Sequence, residues 1–333
     1  MRSRFHILEP LLAALSLAWP LHAEEPAPLT LQRAIALPGV EGRFDHAAFD
    51  AATHRLFFAA LGNNTLEVVD VAAGKRVHSI AGLKMPTGVL FLAEENLLVV
   101  ACGGDGTCRF FDGTSYAEKG RVTGVDDADN LRFDAQARRI YLGYGGGALG
   151  VIDPVAMKLI ASIALAKHPE SFQLEENGPR IFVNVPEAKH IAVVDRAAGK
   201  VVATWPVGEF RANFPMALAE VQHRVFIGCR APARLLAFDT QSGQRVADAP
   251  LSGDIDDVFF AAATSRLFAS CGEGFTDVFH FTAPATLART HRLPSAAGAR
   301  TAFFTPKSGF ALAVPHRGAQ GAEIRVFGVA APR

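Results

Sequence analysis

The residues able to do chemistry in this chain stand in small polar groups just ahead of apolar runs. They are Asp45-His46, Asp129-Asn130, His168 with Glu170-Ser171, Asn213, Asp256-Asp257, Arg300 and His316-Arg317. Asp126, Asp127 and Asp254 lie just upstream of the same runs. Neutral imidazoles and carboxylates are donors for a divalent transition metal, or an acid–base pair. On that reading His46, His168 and His316 are the candidate metal ligands, Glu170 would take a proton, and Arg300 or Arg317 would hold an anion. The structural alternative is that these groups cap loop amides and one another, because buried polar atoms must be satisfied. No His-x-x-x-His spacing occurs, so any metal site has to be assembled by the fold.

Several motifs carry no function. Gly145-Gly146-Gly147-Ala148-Leu149-Gly150 has the letters of a dinucleotide fingerprint but falls in a predicted hairpin with no helix behind it. No nucleophile elbow, P-loop or haem attachment sequence is present. Haem and nucleotide cofactors are therefore not expected, and a divalent metal is the one cofactor the residues suggest.

The elements that position these groups follow from a repeat. A basic-apolar-aromatic phrase recurs as Arg55-Leu56-Phe57, Arg139-Ile140-Tyr141, Arg180-Ile181-Phe182, Arg224-Val225-Phe226 and Arg266-Leu267-Phe268. Degenerate copies start at Leu97 and Gly309, and successive steps are 42, 42, 41, 44, 42 and 43 residues. About 15 residues after each phrase come two apolar residues and an Asp: Asp70, Asp112, Asp153, Asp195 and Asp239, with His280 in the sixth copy. Seven units of this length, each with four short apolar runs and turn residues between them, predict an all-β, seven-bladed β-propeller with four-stranded blades. The seventh unit has only three strands, near 300–305, 309–315 and 323–328. Leu29–Leu37 reads as the missing fourth strand, so the last blade is closed by the N-terminal strand.

In such a ring the innermost strands start at one rim of the axis, and the hairpins between second and third strands project from that rim. The polar groups nine or ten residues ahead of each anchor phrase then converge on one mouth. Blades are about 51° apart, which sets His46 and His168 across the mouth from each other and His316-Arg317 beside His46.

The Arg-Leu-Phe and Val-Val-Asp-turn-Gly-Lys phrases, over residues 29–329, resemble the bacterial YVTN-repeat (YncE-like) propellers. The resemblance implies the propeller fold and a periplasmic binding or structural role. The expected function is an exported, non-catalytic binding or scaffolding protein that meets a small molecule or a partner protein at its polar rim. The competing class is a metal-dependent lyase or lactone hydrolase with a His/Glu site at the same mouth.

Arg2 and Arg4, the apolar run 11–19 and Ala23 make a secretory signal over residues 1–23, leaving 24–333 as a single domain. Removing Arg2, Arg4 and Glu9 leaves 31 basic and 32 acidic side chains, so no basic field invites nucleic acid. No other apolar run is long enough for membrane insertion. The expected product is a periplasmic or secreted monomer. Export invites a disulfide, and Cys102 and Cys108 flank a hairpin turn and form the candidate pair. Cys229 and Cys271 are expected as free buried thiols.

Overall fold

A computed structural model describes residues 27–306, 309–317 and 321–330. The signal expected over residues 1–23 lies outside them. Seven antiparallel four-stranded sheets form the chain, a seven-bladed β-propeller. Blades one to six are continuous, over residues 47–80, 86–123, 131–164, 172–206, 211–250 and 255–294. Blade seven takes Ala302–Thr305, Gly309–Val314 and Glu323–Val329 and adds Leu29–Ala36 as its outermost strand. That strand runs antiparallel to Glu323–Val329, from Leu29↔Val329 to Ala36↔Glu323. The N-terminal closure expected from the sequence is present.

Each anchor phrase opens the second strand of its blade, at Arg55, Leu97, Arg139, Arg180, Arg224, Arg266 and Gly309. The apolar residues after it are buried between neighbouring sheets; Phe57, Phe182, Phe226 and Phe268 are inaccessible to solvent. The trailing Asp sits opposite the anchor, as in Arg55↔Asp70 and Arg180↔Asp195. Its carboxylate accepts backbone N–H groups of the next turn: Thr114 and Ser115 on Asp112, Val155 and Ala156 on Asp153, Gln241 and Ser242 on Asp239. The repeat thus encodes one core-facing strand start and one capped turn per blade. The triple-glycine motif is a hairpin turn between Arg139–Tyr144 and Ala148–Asp153, as read from sequence.

The Cys102–Cys108 disulfide is not formed; all four cysteines are free and buried. The hairpin register pairs Cys102 with Thr107 and Cys108 with Ala101. Side chains of successive pairs point to opposite faces of a sheet. Cys102 therefore enters the core between blades one and two, and Cys108 the core between blades two and three. Their Cβ vectors diverge, which a bridge cannot tolerate. Burial pushes the Cys102 thiol up to about 11 and the Cys229 thiol to about 12. Cys229 and Cys271 are free buried thiols, as expected.

Candidate functional site at the axial mouth

The alignment of polar residues ahead of the anchors is a real structural equivalence. Asp45, Asp129 and Glu170 each donate their backbone N–H to the residue four after the anchor of their blade, Ala59, Gly143 and Asn184. The next residues, His46, Asn130 and Ser171, accept the return bond from the same partners. Three blades therefore deliver a carboxylate to the same height on the axis. Blade two delivers Thr87 instead, followed by Gly88. A Cβ there would lie 2.0 Å from the Asp129 carbonyl oxygen, so only glycine lets the blade-three rim come this close to the axis. Blade six reaches the mouth through a β-bulge between Ile255 and Asp257, which turns Asp256 toward the axis.

The mouth is a cavity of about 480 Å³ lined by Asp45, His46, Asp129, Asn130, His168, Glu170, Asp256 and Arg300, among others. It has two halves. In the first, Nε2 of His46 is 3.4 Å from Asp45 and 3.7 Å from Asp129. One donor atom each from Asp45, His46 and Asp129 lie within 4.8 Å of one another, and so do those of Asp129, His168 and Glu170. His168 donates from Nδ1 to the Gly145 carbonyl at 2.7 Å, so in the neutral ring Nε2 is the nitrogen with the free lone pair. Asn130 is 1% exposed; its Nδ2 donates to Asp129 at 3.2 Å, and its Oδ1 has no hydrogen-bond partner. In the second half, Arg300 donates to Asp254 at 2.7 and 2.9 Å and its Nε lies 3.0 Å from Asp256. Arg230 donates to the Ile255 carbonyl and to Asp256 and stacks on Phe214, 4.3 Å from its ring centre.

Burial raises the carboxylates of this half, and their neighbours' charges add to it. Burial, with help from the Asp256 charge, raises Asp45 to about 7. Burial raises Asp129 to about 6 against the pull of His46. Glu170, buried and facing Asp129 and Asp256, rises to about 9. Burial lowers His46 and keeps it neutral near pH 7. By itself, this half of the mouth retains protons that carboxylates in water release.

Four residues expected at the mouth lie elsewhere. Asn213 is wholly buried between blades four and five, where its amide donates to Asn184 and to the His190 carbonyl. Asp257 follows the bulge and points the other way, into the lower channel beside Arg132 and Gln173. His316 pairs with Glu41 at 2.6 Å and lines a separate peripheral cavity with Leu37 and Pro38. Arg317 lies against Gly298. The blade-seven hairpin springs from strands that stand one and two places out from the axis, at about 4.8 Å per strand. The connection between Leu37 and Phe44 runs inside it, and Glu41 on that connection captures His316 before it can approach His46.

Sequence reasoning missed Arg43 and Arg230, which line the mouth, and Arg132, which lines the cavities below it. Arg230 had a signal: it is the charged end of the apolar second strand Arg224–Ala231. Arg132 likewise interrupts the four-residue inner strand Leu131–Asp134.

Asp257 carries a pH prediction. Burial holds its carboxyl well above the usual range, although its oxygen accepts the Ala302 N–H at 2.7 Å. The folded state thus keeps a proton that the unfolded chain releases above about pH 4. Stability conferred by that proton declines as pH rises from there toward the folded-state value. Asp257→Asn retains the acceptor and cannot ionise. It is expected to stabilise the protein at pH 8 by more than about 1 kcal/mol and to flatten its pH dependence. Urea melts at pH 4, 6 and 8 check this. A destabilised variant with the wild-type slope would show that Asp257 is ionised and paired with Arg132.

No protein-family model matches the chain, and no curated protein matches it. Solved structures do. A chain of the mitotic checkpoint complex superposes with a TM-score of 0.75 at 12% identity, covering 97% of this chain and 98% of that one. A chain of Kuenenia stuttgartiensis hydrazine synthase gives a TM-score of 0.73 at 14% identity, covering 83% of this chain and 95% of that one. At such identities the likeness shows the fold alone. No helix among the described residues is long and apolar enough to cross a membrane.

Proposed function

We propose that this chain is an exported binding propeller, of the YVTN-repeat type its repeats resemble, that takes a small ligand of net positive charge into its axial mouth. One observation carries the reading. Asp129 and Glu170 face the cavity with no arginine or lysine at ion-pair distance among the described residues, whereas Arg230 and Arg300 are matched by Asp254 and Asp256. A concave polar site with unmatched carboxylates favours a cation. Binding is favoured over nucleophilic catalysis because Ser171, a mouth hydroxyl, accepts from Arg132 at 3.5 Å and, among the described residues, is hydrogen-bonded to no base. The export reading rests on residues 1–23.

The test is thermal melting of untagged residues 24–333 with small cations (putrescine, spermidine, divalent metals) and small anions (succinate, citrate). Cationic probes are expected to raise the midpoint of the wild type and to lose at least half of that rise in Glu170→Gln. A midpoint raised by the anions alone would refute the reading.

A further inference from the structure

The first half of the mouth is built like a metal centre. We propose that it binds a divalent first-row transition ion of the Zn²⁺ class, with Asp129 as the shared ligand between Asp45 and His46 on one side and His168 and Glu170 on the other. The inference rests on the cation-binding reading above and names the cation.

Four observations support it. The first is spacing. Nε2 of His46 stands 3.4 Å from Asp45 and 3.7 Å from Asp129, longer than ordinary hydrogen bonds of about 2.7–3.2 Å. Donors bound at about 2.1 Å around a tetrahedral ion are about 3.4 Å apart, so the gap has the size of an ion. The second is the tautomer of His168. Its Nδ1–H is committed to the Gly145 carbonyl at 2.7 Å, an outer-sphere bond of the kind that aims the bare Nε2 of a histidine at a metal. The third is Asn130, a buried residue of the same cavity lining, whose amide nitrogen donates to Asp129 at 3.2 Å and whose Oδ1 has no hydrogen-bond partner. The fourth is donor chemistry. Two imidazoles with three carboxylates suit a borderline ion better than calcium or magnesium, which take all-oxygen shells, and the four thiols that would select softer ions are buried in the cores between blades.

The experiment uses untagged mature protein, stripped with a chelator and titrated with Zn²⁺ and, separately, with Co²⁺ as a visible probe. Expected is saturable binding with cobalt d–d absorption, weakened at least tenfold in Asp129→Asn and shifted in spectrum in His168→Gln. Glu118→Gln, on the outermost strand of blade two and away from the mouth, should bind as the wild type does. Circular dichroism establishes that the variants fold, and His168→Gln and Glu170→Gln serve if Asp129→Asn does not. Binding unchanged in all three variants would place the ion elsewhere and overturn the assignment. Absence of Zn²⁺ and Co²⁺ binding would overturn it too. If putrescine or spermidine still raised the wild-type midpoint, the cation-binding reading would survive; if no cation did, both would fall.

Discussion

Deleting residues 24–36 is expected to abolish cooperative folding, although the deleted segment contributes a single strand. Leu29–Ala36 is the only outer strand of its blade that comes from the other end of the chain, and its removal leaves Glu323–Val329 as an open edge. The segment also fills the join between the last and first blades. Ile35, 1% exposed, packs with Leu56 and Phe58 of blade one and with Ala313 and Ile324 of blade seven, in a cluster that Leu37, just past the deletion, shares. Arg33 crosses the join and donates to the carbonyls of Val71 and Ala72 at 3.1 and 2.8 Å. A milder variant grades the effect: Ile35→Ala should cost about 3 kcal/mol, from lost burial and a residual cavity. Chemical denaturation read by circular dichroism separates the outcomes. A deletion variant that melts with the wild-type midpoint would show that the ring holds without its closing strand.

The closing strand was legible because it follows from counting: a seventh unit one strand short, and a strand-like segment without a unit. The mouth was legible to the same extent that it obeys the repeat. Asp45, Asp129 and Glu170 were found because each occupies a fixed backbone pairing four residues past its anchor, which spacing preserves. What spacing does not preserve was lost. Asp256 keeps the spacing, ten residues before Arg266, and lines the mouth, but spacing does not give the facing of its neighbour: beyond the bulge Asp257 enters a different cavity. The Cys102–Cys108 pairing failed for a related reason. Six residues of separation fit a bridge, but a four-residue loop sets the register one place off. His316 depended on which neighbour it meets first, and Arg230 on the reach of a long side chain; neither is written in a period.

Asp277→Ala is expected to cost about 3 kcal/mol and to disorganise the mouth from a distance. Asp277 lies three residues before the sixth copy of the capping position, where blade one has Glu67. Both carboxylates are wholly buried, and each meets an arginine of its outer strand at 3.1 Å: Asp277 with Arg289, Glu67 with Arg76. Glu67 is otherwise satisfied within its own blade, by the hydroxyls of Thr65 and Ser79. Asp277 reaches out of its blade. It accepts the Ser252 N–H at 2.7 Å and the Ser252 hydroxyl at 3.1 Å, while Arg292 donates to the same hydroxyl at 2.9 Å. Ser252 begins the segment that carries Asp254 and Asp256 to the axis, where they hold Arg230 and Arg300. Truncation strands a buried N–H and leaves Arg289, one-third exposed, without its partner, and those losses set the figure. Asp277→Asn, which keeps an acceptor for Ser252, should lose less. Hydrogen exchange distinguishes a local from a remote effect: faster exchange at residues 252–256 in Asp277→Ala, with the Glu67→Gln variant unchanged there, is the expected pattern. Equal exchange in that segment with lowered global stability would mean that Asp277 serves only the core of blade six. The paired arginines would then owe their positions to Asp254 and Asp256 alone.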